Sequence, residues 1–593
     1  MNSNICAAYF VVGLLVSLTA GCGSGGSSGV TAAAGPNAAA VASAPCIGCH
    51  SSYRSSVTGT LITDDWQASA HHTENGASCA DCHEPSVGHP QNCTYTCHGG
   101  SNTDNNELVY NPDTSLKCYK CHGLDHPADG MLVEAPRHFG NLTTSLGNTT
   151  YRAQYLSSMY VGNCRKCHNP HNPTAALPIN QQWADSGMGD TTAGPRVKYD
   201  FKTRGTYEPV NLTFQYYCVR CHTSTGYIKF VTSGFTDQTP FAGPGQPVVQ
   251  NRPGQNELPS PDKTKEVTGC NVCHDDGNGN AYGFALRTVP PVRIYYNIST
   301  AWTSPTIRLN NSPVDYPDKG ASNMCLPCHT GRGVGRLISD AAAAGLDFAN
   351  APTISSHDRA TGTILAKHGG YEFAGRDYAD PDEYLHEYIG MNNTRGTGTL
   401  GPCITCHMNS DESHSFEPVV RSVSATEDRI VGIRSKTCAH CHDGVLEPVW
   451  TAASLQERRT GFHAALTVLT ALLKGKGVPA TANSALKLRN WEVPYGAGTG
   501  PNTMGAYFNN DLLTNELGAF AHNSTYAKRL LYDSIDWMYN GALDNDVVEA
   551  INSLTFSPAT TNPVTGIAYG SDYVNIKTDA IDYLMEDGPD IRP

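Results

Sequence analysis

Cys403-Ile404-Thr405-Cys406-His407 is the stretch that governs how this chain folds. Two thiols stand three positions apart, and an imidazole follows the second. This arrangement attaches a c-type haem: two thioether bonds hold one porphyrin edge, and the next side chain offers a nitrogen to the iron. The pattern recurs at Cys46, Cys49 and His50, at Cys79, Cys82 and His83, at Cys118, Cys121 and His122, and at Cys164, Cys167 and His168. Further along it recurs at Cys218, Cys221 and His222, at Cys270, Cys273 and His274, at Cys325, Cys328 and His329, and at Cys438, Cys441 and His442. One more copy, formed by Cys93, Cys97 and His98, has one further residue between its cysteines, which a bulged loop absorbs; counted in chain order it is the third of ten, and Cys438, Cys441 and His442 form the tenth.

Of 22 cysteines the ten motifs use 20, leaving Cys6 and Cys22. A disulfide framework gives no reason for a histidine after every second cysteine. Structural zinc draws on the same residue types. It joins two halves without a fixed Cys-His adjacency, however, and many of these motifs stand alone. Gly and Pro together provide about 16% of the residues, against an average near 12%. Loops wrapped on haem plates suit that excess better than long regular elements. The fold class expected is a multihaem one: mostly irregular coil with short α-helices around a stacked haem chain, little β, and a helical C-terminal region.

Residues 1–21 carry no charged side chain, and Ile5 to Leu18 is a mostly apolar run whose length suits a secretory signal better than a membrane span. Leu18-Thr19-Ala20-Gly21-Cys22 resembles a bacterial lipoprotein signal with Cys22 as the lipidated first residue; Thr19 replaces the usual leucine, and no Lys or Arg precedes the run. Residues 22–45 are rich in Gly, Ser and Ala and read as a flexible tether. The motifs fall into two groups of five, giving a first pentahaem region over 46–200 and a second over 201–445. Residues 172–212 and 239–262 read as a linker and a surface loop. Val292 to Ile298, β-branched and aromatic, predicts a short strand or hairpin.

A haem-free helical region is expected over 446–593. Phe462, Leu466, Leu469 and Leu473 follow helical spacing up to Gly475 and Gly477. Ser524 is placed to cap a second helix through Met538, with Leu531, Ile535 and Met538 on one face and Gly541 beyond. The net charge of −14 argues against a nucleic-acid partner and for cationic partners, metal ions or other haem proteins. The oxygen-rich run Asp275–Asn280 lacks the EF-hand glycine and glutamate and reads as a polar turn.

What fills each iron's second axial position decides the function. A second histidine closes the iron as an electron carrier, methionine raises its potential, and a vacancy admits a substrate. There are 23 histidines, and 13 lie outside the motif ligand positions, enough for ten bis-histidine irons. His71, His89, His126, His138 and His171 are the candidates among the first five motifs, and His357, His368, His386, His414 and His522 among or after the last five. His171 lies three residues past His168, too short a reach to return to the same iron, which points it at an adjacent haem. His72 neighbours His71 and points away. His440 lies inside its own motif, and His463 falls on the amphipathic helix. Met324 and Met408 stand beside motifs, where such residues pack on the haem.

From Cys46 to His522 the chain resembles the outer-membrane multihaem c-type cytochromes of metal-reducing bacteria. The resemblance rests on the motifs, on Trp66-Gln67-Ala68-Ser69-Ala70-His71 as a W-x-x-S-x-H distal-ligand element, and on the stretch from Cys403 through Met408 to His414-Ser415-Phe416. It implies a lipid-anchored protein of the outer membrane, exposed at the cell surface or outside it, passing respiratory electrons to iron or manganese oxides. Its partners would be other cytochromes or a porin-cytochrome complex. Two alternatives remain open: a multihaem reductase with one open iron, and a filament subunit whose copies polymerise. No Cys-x-x-Cys-Lys variant occurs, and no hydrolase triad or dinucleotide fingerprint stands out.

Overall fold

A computed structural model describes residues 37–55, 59–73, 76–83, 143–146, 149–152, 169, 171–172, 177–189, 220–235, 267–275, 285–296, 313–379, 386–445, 447–479, 488–586, 588 and 591–593. Three expected haem-attachment sites lie outside these residues: that of Cys93, Cys97 and His98, that of Cys118, Cys121 and His122, and that of Cys164, Cys167 and His168. Cys218, His89, His126 and His138 also lie outside them, as do the signal segment with Cys22, most of the linker and all of the 239–262 loop. The chain divides into two compact units, the first built from residues before 137 with short pieces near 161–164 and 170–175, and the second from most of the later chain.

In the first unit, helix Ala38–His50 carries Cys46, Cys49 and His50 on its last turns. Its start shortens the tether expected over 22–45: Asn37 accepts the amide of Ala40, and an alanine-rich run after that cap is strongly helix-forming. Helix Ile62–Gln67 leads into a 3₁₀ turn at Ala70–His72. Here the W-x-x-S-x-H element acts as a brace. The Trp66 indole donates to the Ala77 carbonyl at 2.9 Å, and the buried Ser69 hydroxyl donates to the Trp66 carbonyl while accepting the His71 amide. Ser43 accepts the amide of Cys79, tying the first motif's helix to helix Cys79–Cys82.

The second unit is irregular in its middle and helical at its end. Among the described residues there are three sheets, each of two antiparallel strands: Thr143–Leu146 with Thr149–Arg152, Arg293–Ile294 with Val314–Asp315, and Val419–Val423 with Asp428–Ile433. The strand expected near Val292 is thus present, but its partner comes from a later segment rather than a local hairpin. Asp275 pairs with Arg287 at 2.7 Å.

The long helix Ala452–Gly475 is capped by Thr451, whose hydroxyl accepts the Ser454 amide. Phe462, Leu466, Leu469 and Leu473 are fully buried. Helices Gly500–Asn515, Ser524–Asn540 and Ile576–Leu584 surround it. Asn523, one residue before the expected cap, accepts the Tyr526 amide, and Gly541 closes that helix at φ +83°. This bundle shares one core with residues of the 313–379 segment. A Cβ on Gly505 would lie 2.0 Å from the Tyr371 ring, so only glycine lets that segment approach the helix so closely. No helix among the described residues is long and apolar enough to cross a membrane.

Candidate haem-binding sites

Each fully described motif folds as one tight helical turn. The amides of His83, His274, His329 and His442 donate to the carbonyls of Cys79, Cys270, Cys325 and Cys438 at 2.8–3.1 Å. Residues i, i+3 and i+4 of such a turn share a face, so both thiols and the imidazole address one plate. In the first motif the same face of helix Ala38–His50 presents Cys46, Cys49 and His50. Pro402 starts the turn of the ninth motif, helix Pro402–His407, where its missing amide costs nothing.

The second unit brings four of its motif histidines opposite a histidine from elsewhere in the chain. His222 faces His357 with ring centres 6.4 Å apart, His274 faces His414 at 6.1 Å, His407 faces His522 at 6.0 Å, and His442 faces His386 at 6.3 Å. The first unit holds a fifth pair, His83 and His171, at 6.2 Å and nearly parallel. A metal–imidazole bond of about 2.0 Å, with the ring centre about 1.1 Å behind the nitrogen, puts two imidazoles on opposite sides of one metal roughly 6 Å apart. Direct ring stacking would bring the centres closer than this. The five spacings therefore fit a metal atom between each pair.

Their hydrogen bonds also suit ligation. Nδ1 of His407, His386 and His442 lies 2.9, 2.6 and 3.2 Å from the carbonyls of Phe416, Ala521 and Pro448. A carbonyl can only accept, so the ring proton is on Nδ1 and the Nε2 lone pair is free for iron. His329 has the same bond to the Arg359 carbonyl at 3.1 Å. His522 Nδ1 meets the carboxylate of Glu516 instead, at 2.9 Å. At His357 the amide of Asp358 points at Nδ1, so ligation through Nε2 there requires that contact to open. Burial pushes His171, His357, His407 and His414 down to about 4, which keeps these imidazoles neutral, as ligands must be.

Other candidates stand differently. Among the described residues His329 and His368 have no histidine ring opposite them; His368 has the Tyr316 ring edge-on at 5.6 Å. His50 has the Tyr53 ring edge-on at 5.0 Å. His71 follows the Ser69 brace, and His72 packs on Trp66. His440 is exposed. His463 is buried in the long helix, its Nδ1 accepting from Asn562. No group of three or more His, Cys, Asp or Glu side chains converges among the described residues as it would around a bare metal ion.

The thiols show how neighbouring attachment points meet, which spacing along the chain does not reveal. In the first unit Cys46 lies beside Cys79, and Cys49 is also close enough to Cys46 to act on it electrostatically. In the second, the Cys221 thiol points at the Pro327 carbonyl at 3.7 Å and the Cys328 thiol at the Cys221 carbonyl at 3.8 Å, so these two cysteines adjoin; Cys325 lies beside Cys403, and Cys438 and Cys441 lie close enough to Cys406 to act on it in the same way. Sequence reasoning also missed Glu516, a carboxylate with no motif around it.

No family model matches the chain, and no solved structure resembles it. Among curated proteins it is similar to the C-type polyheme cytochrome OmcB of Geobacter sulfurreducens, 31% identical over 467 residues, which is 74% of this chain and 56% of that protein. The C-type polyheme cytochrome OmcC of the same species is 32% identical over 471 residues, 75% of this chain and 56% of its own. The chain thus spans a little over half the length of these relatives. With repeated haem-attachment turns, imidazoles paired at the spacing of one iron, and this extent of shared sequence, the chain is homologous to the polyhaem c-type cytochromes OmcB and OmcC.

Proposed function

We propose that the chain carries electrons through a series of ten covalently attached c-type haems. The observation that supports this most is the set of five histidine pairs, each joining a motif imidazole to a distant one at 6.0–6.4 Å. Haem iron, when bound, supplies a one-electron couple. The cysteines fix each porphyrin edge to a rigid turn. The paired imidazoles would hold the iron between them and keep water and substrate away from it. Such a site exchanges electrons and does no bond chemistry. Contacts between Cys221 and Cys328 and between Cys325 and Cys403, with Cys438 near Cys406, support a path through the sixth, eighth, ninth and tenth motifs.

The reading extends to the cell. An exported protein held at the outer membrane by lipid on Cys22 would receive electrons from another cytochrome or a porin-cytochrome complex and deliver them to extracellular oxides of iron or manganese. The net charge of −14 suits cationic partners and metal ions better than nucleic acid. The test is the mature protein from an expression host that attaches c-type haem. Its mass should exceed that of polypeptide and lipid by ten haems, and its ferric spectrum should be low-spin. His386→Ala should then convert one haem in ten to a high-spin, carbon monoxide-binding form. Colourless protein, or an unchanged spectrum in that variant, would overturn the assignment.

A further inference from the structure

Glu516 is 2% exposed and lies between helices Gly500–Asn515 and Ala519–His522. Its Oε1 is 2.9 Å from Nδ1 of His522 and accepts the Gly518 amide at 3.3 Å, and its Oε2 accepts the Thr361 hydroxyl at 2.6 Å. Elsewhere in the same unit a buried carboxylate meets guanidinium groups, as Asp533 meets Arg592 and Arg376. Glu516 instead meets an imidazole and a hydroxyl. The His407 ring, which His522 faces, is anchored by the neutral Phe416 carbonyl, and the His386–His442 pair is anchored by carbonyls on both sides.

We propose that Glu516 sets the potential of the centre held by His407 and His522, acting through His522 and making it harder to reduce than a centre anchored by carbonyls alone. The proposal rests on the electron-transfer reading. A carboxylate accepting the Nδ1 proton raises the basicity of the opposite nitrogen, as it does in carboxylate–histidine–metal triads. A more basic ligand and a fixed negative charge in a water-poor site both favour the ferric ion, which carries one more positive charge than the ferrous ion. The step concerned is the transfer of one electron from an adjacent reduced haem, Fe(III) going to Fe(II) while the donor is oxidised. No bond breaks, and the Nδ1 proton stays between imidazole and carboxylate. Cys403 of this ninth motif touches the eighth, and Cys406 lies near the tenth, so the centre is interior to the path. Electrons then cross an uphill step there instead of resting on it.

The experiment is a spectroelectrochemical titration of the full-length, haem-loaded protein, with low-temperature EPR on the same samples. Glu516→Gln keeps the shape and removes the charge. One couple should move to higher potential by a factor of ten or more in its one-electron equilibrium constant, about 59 mV. One low-spin EPR species should change with it, at unaltered haem content. Glu516→Asp keeps the charge and should leave that couple within the tenfold band. If Glu516→Gln loses a haem, Thr361→Val carries the test. It strips a hydrogen bond from the carboxylate, leaves more charge on His522, and should lower the same couple. Fully loaded variants in which no couple moves would overturn this inference and leave the relay standing. Protein without haem would instead sink the relay reading itself.

Discussion

His463 is the histidine whose neighbourhood most clearly differs from a ligand's. It lies in the middle of the long helix, is 4% exposed, and takes a hydrogen bond on Nδ1 from Asn562. Nothing polar meets Nε2. Burial, followed by the charge of Arg459, pushes it from 6.5 down to about 3. The unfolded chain therefore binds a proton at this position between about pH 6.5 and 3, and the folded chain does not. Its contribution to stability is fully present above pH 6.5 and is lost as pH falls, at about 1.4 kcal/mol per pH unit across that window. The melting temperature of the C-terminal bundle should drop between pH 7 and pH 5 by an amount equivalent to roughly 2 kcal/mol. His463→Leu, which cannot take up the proton, should flatten that part of the curve. An equally steep curve in the variant would assign the acid sensitivity to other groups. The helical spacing alone left this histidine undecided between an iron ligand and a packed or solvated residue, because one ring among leucines gives no sign of which way it turns. His171 and His522 show the same limit. His171 was legible as a histidine beside a motif and His522 as one directly before a helix, but the rings they face, His83 and His407, come from distant parts of the chain.

Elements were legible where their pattern is local. The leucine and phenylalanine spacing of the long helix and the cap before Tyr526 both lie within a few turns of sequence. The Arg293–Ile294 strand was readable as a strand but not in its pairing with Val314–Asp315, since a two-residue ladder carries no register signal. Helix Ala38–His50 was obscured by low-complexity composition, although Asn37 followed by alanines was the signal that could have found it. What no pattern shows is where helices touch. Gly461 lies where the long helix meets helix Ile576–Leu584: an added Cβ would stand 2.7 Å from the Tyr583 Cβ and 3.1 Å from the Asp579 carbonyl. Two effects compete at this glycine. Alanine gains about 1 kcal/mol of helix propensity, while overpacking against backbone and a Cβ, neither of which can swing aside, costs about 1–3 kcal/mol. Packing should prevail, so Gly461→Ala should lower the melting temperature. Gly475, at the end of the same helix, has nothing within 4 Å of an added Cβ, and Gly475→Ala should leave the protein as stable or slightly more so. Equal effects from the two substitutions in thermal unfolding would show that the helix contact is looser than described.

For the molecule as a whole, the candidate attachment turns were readable in the sequence and their connection was not. A Cys-x-x-Cys-His turn spans five residues, so its chemistry is complete within the sequence window. Which turns adjoin depends on how loops of very different length close, and no spacing encodes it. In the second unit the short helix Leu326–His329 and the cysteine before it hold the key position. Cys328 touches Cys221 of the sixth motif, Cys325 touches Cys403 of the ninth, and Cys273 of the seventh is close enough to act on both. On the proposed relay, and among the described motifs, the eighth is then a junction, while the tenth, beside Cys406, is an end of this series. Removing each should have different consequences. Replacing both Cys325 and Cys328 by alanine should lose one haem by mass and split the remainder into pools that exchange slowly. Stopped-flow reoxidation of the reduced protein should become biphasic, with a slow phase at least about tenfold behind the fast one, equivalent to about 1.4 kcal/mol of added barrier. Replacing Cys438 and Cys441 should also lose one haem but keep a single phase, because shortening a chain does not divide it. Among the described residues the eighth motif's cysteines meet both the sixth and the ninth, so a single phase in the first variant would mean that the thiol contacts do not mark the route electrons take.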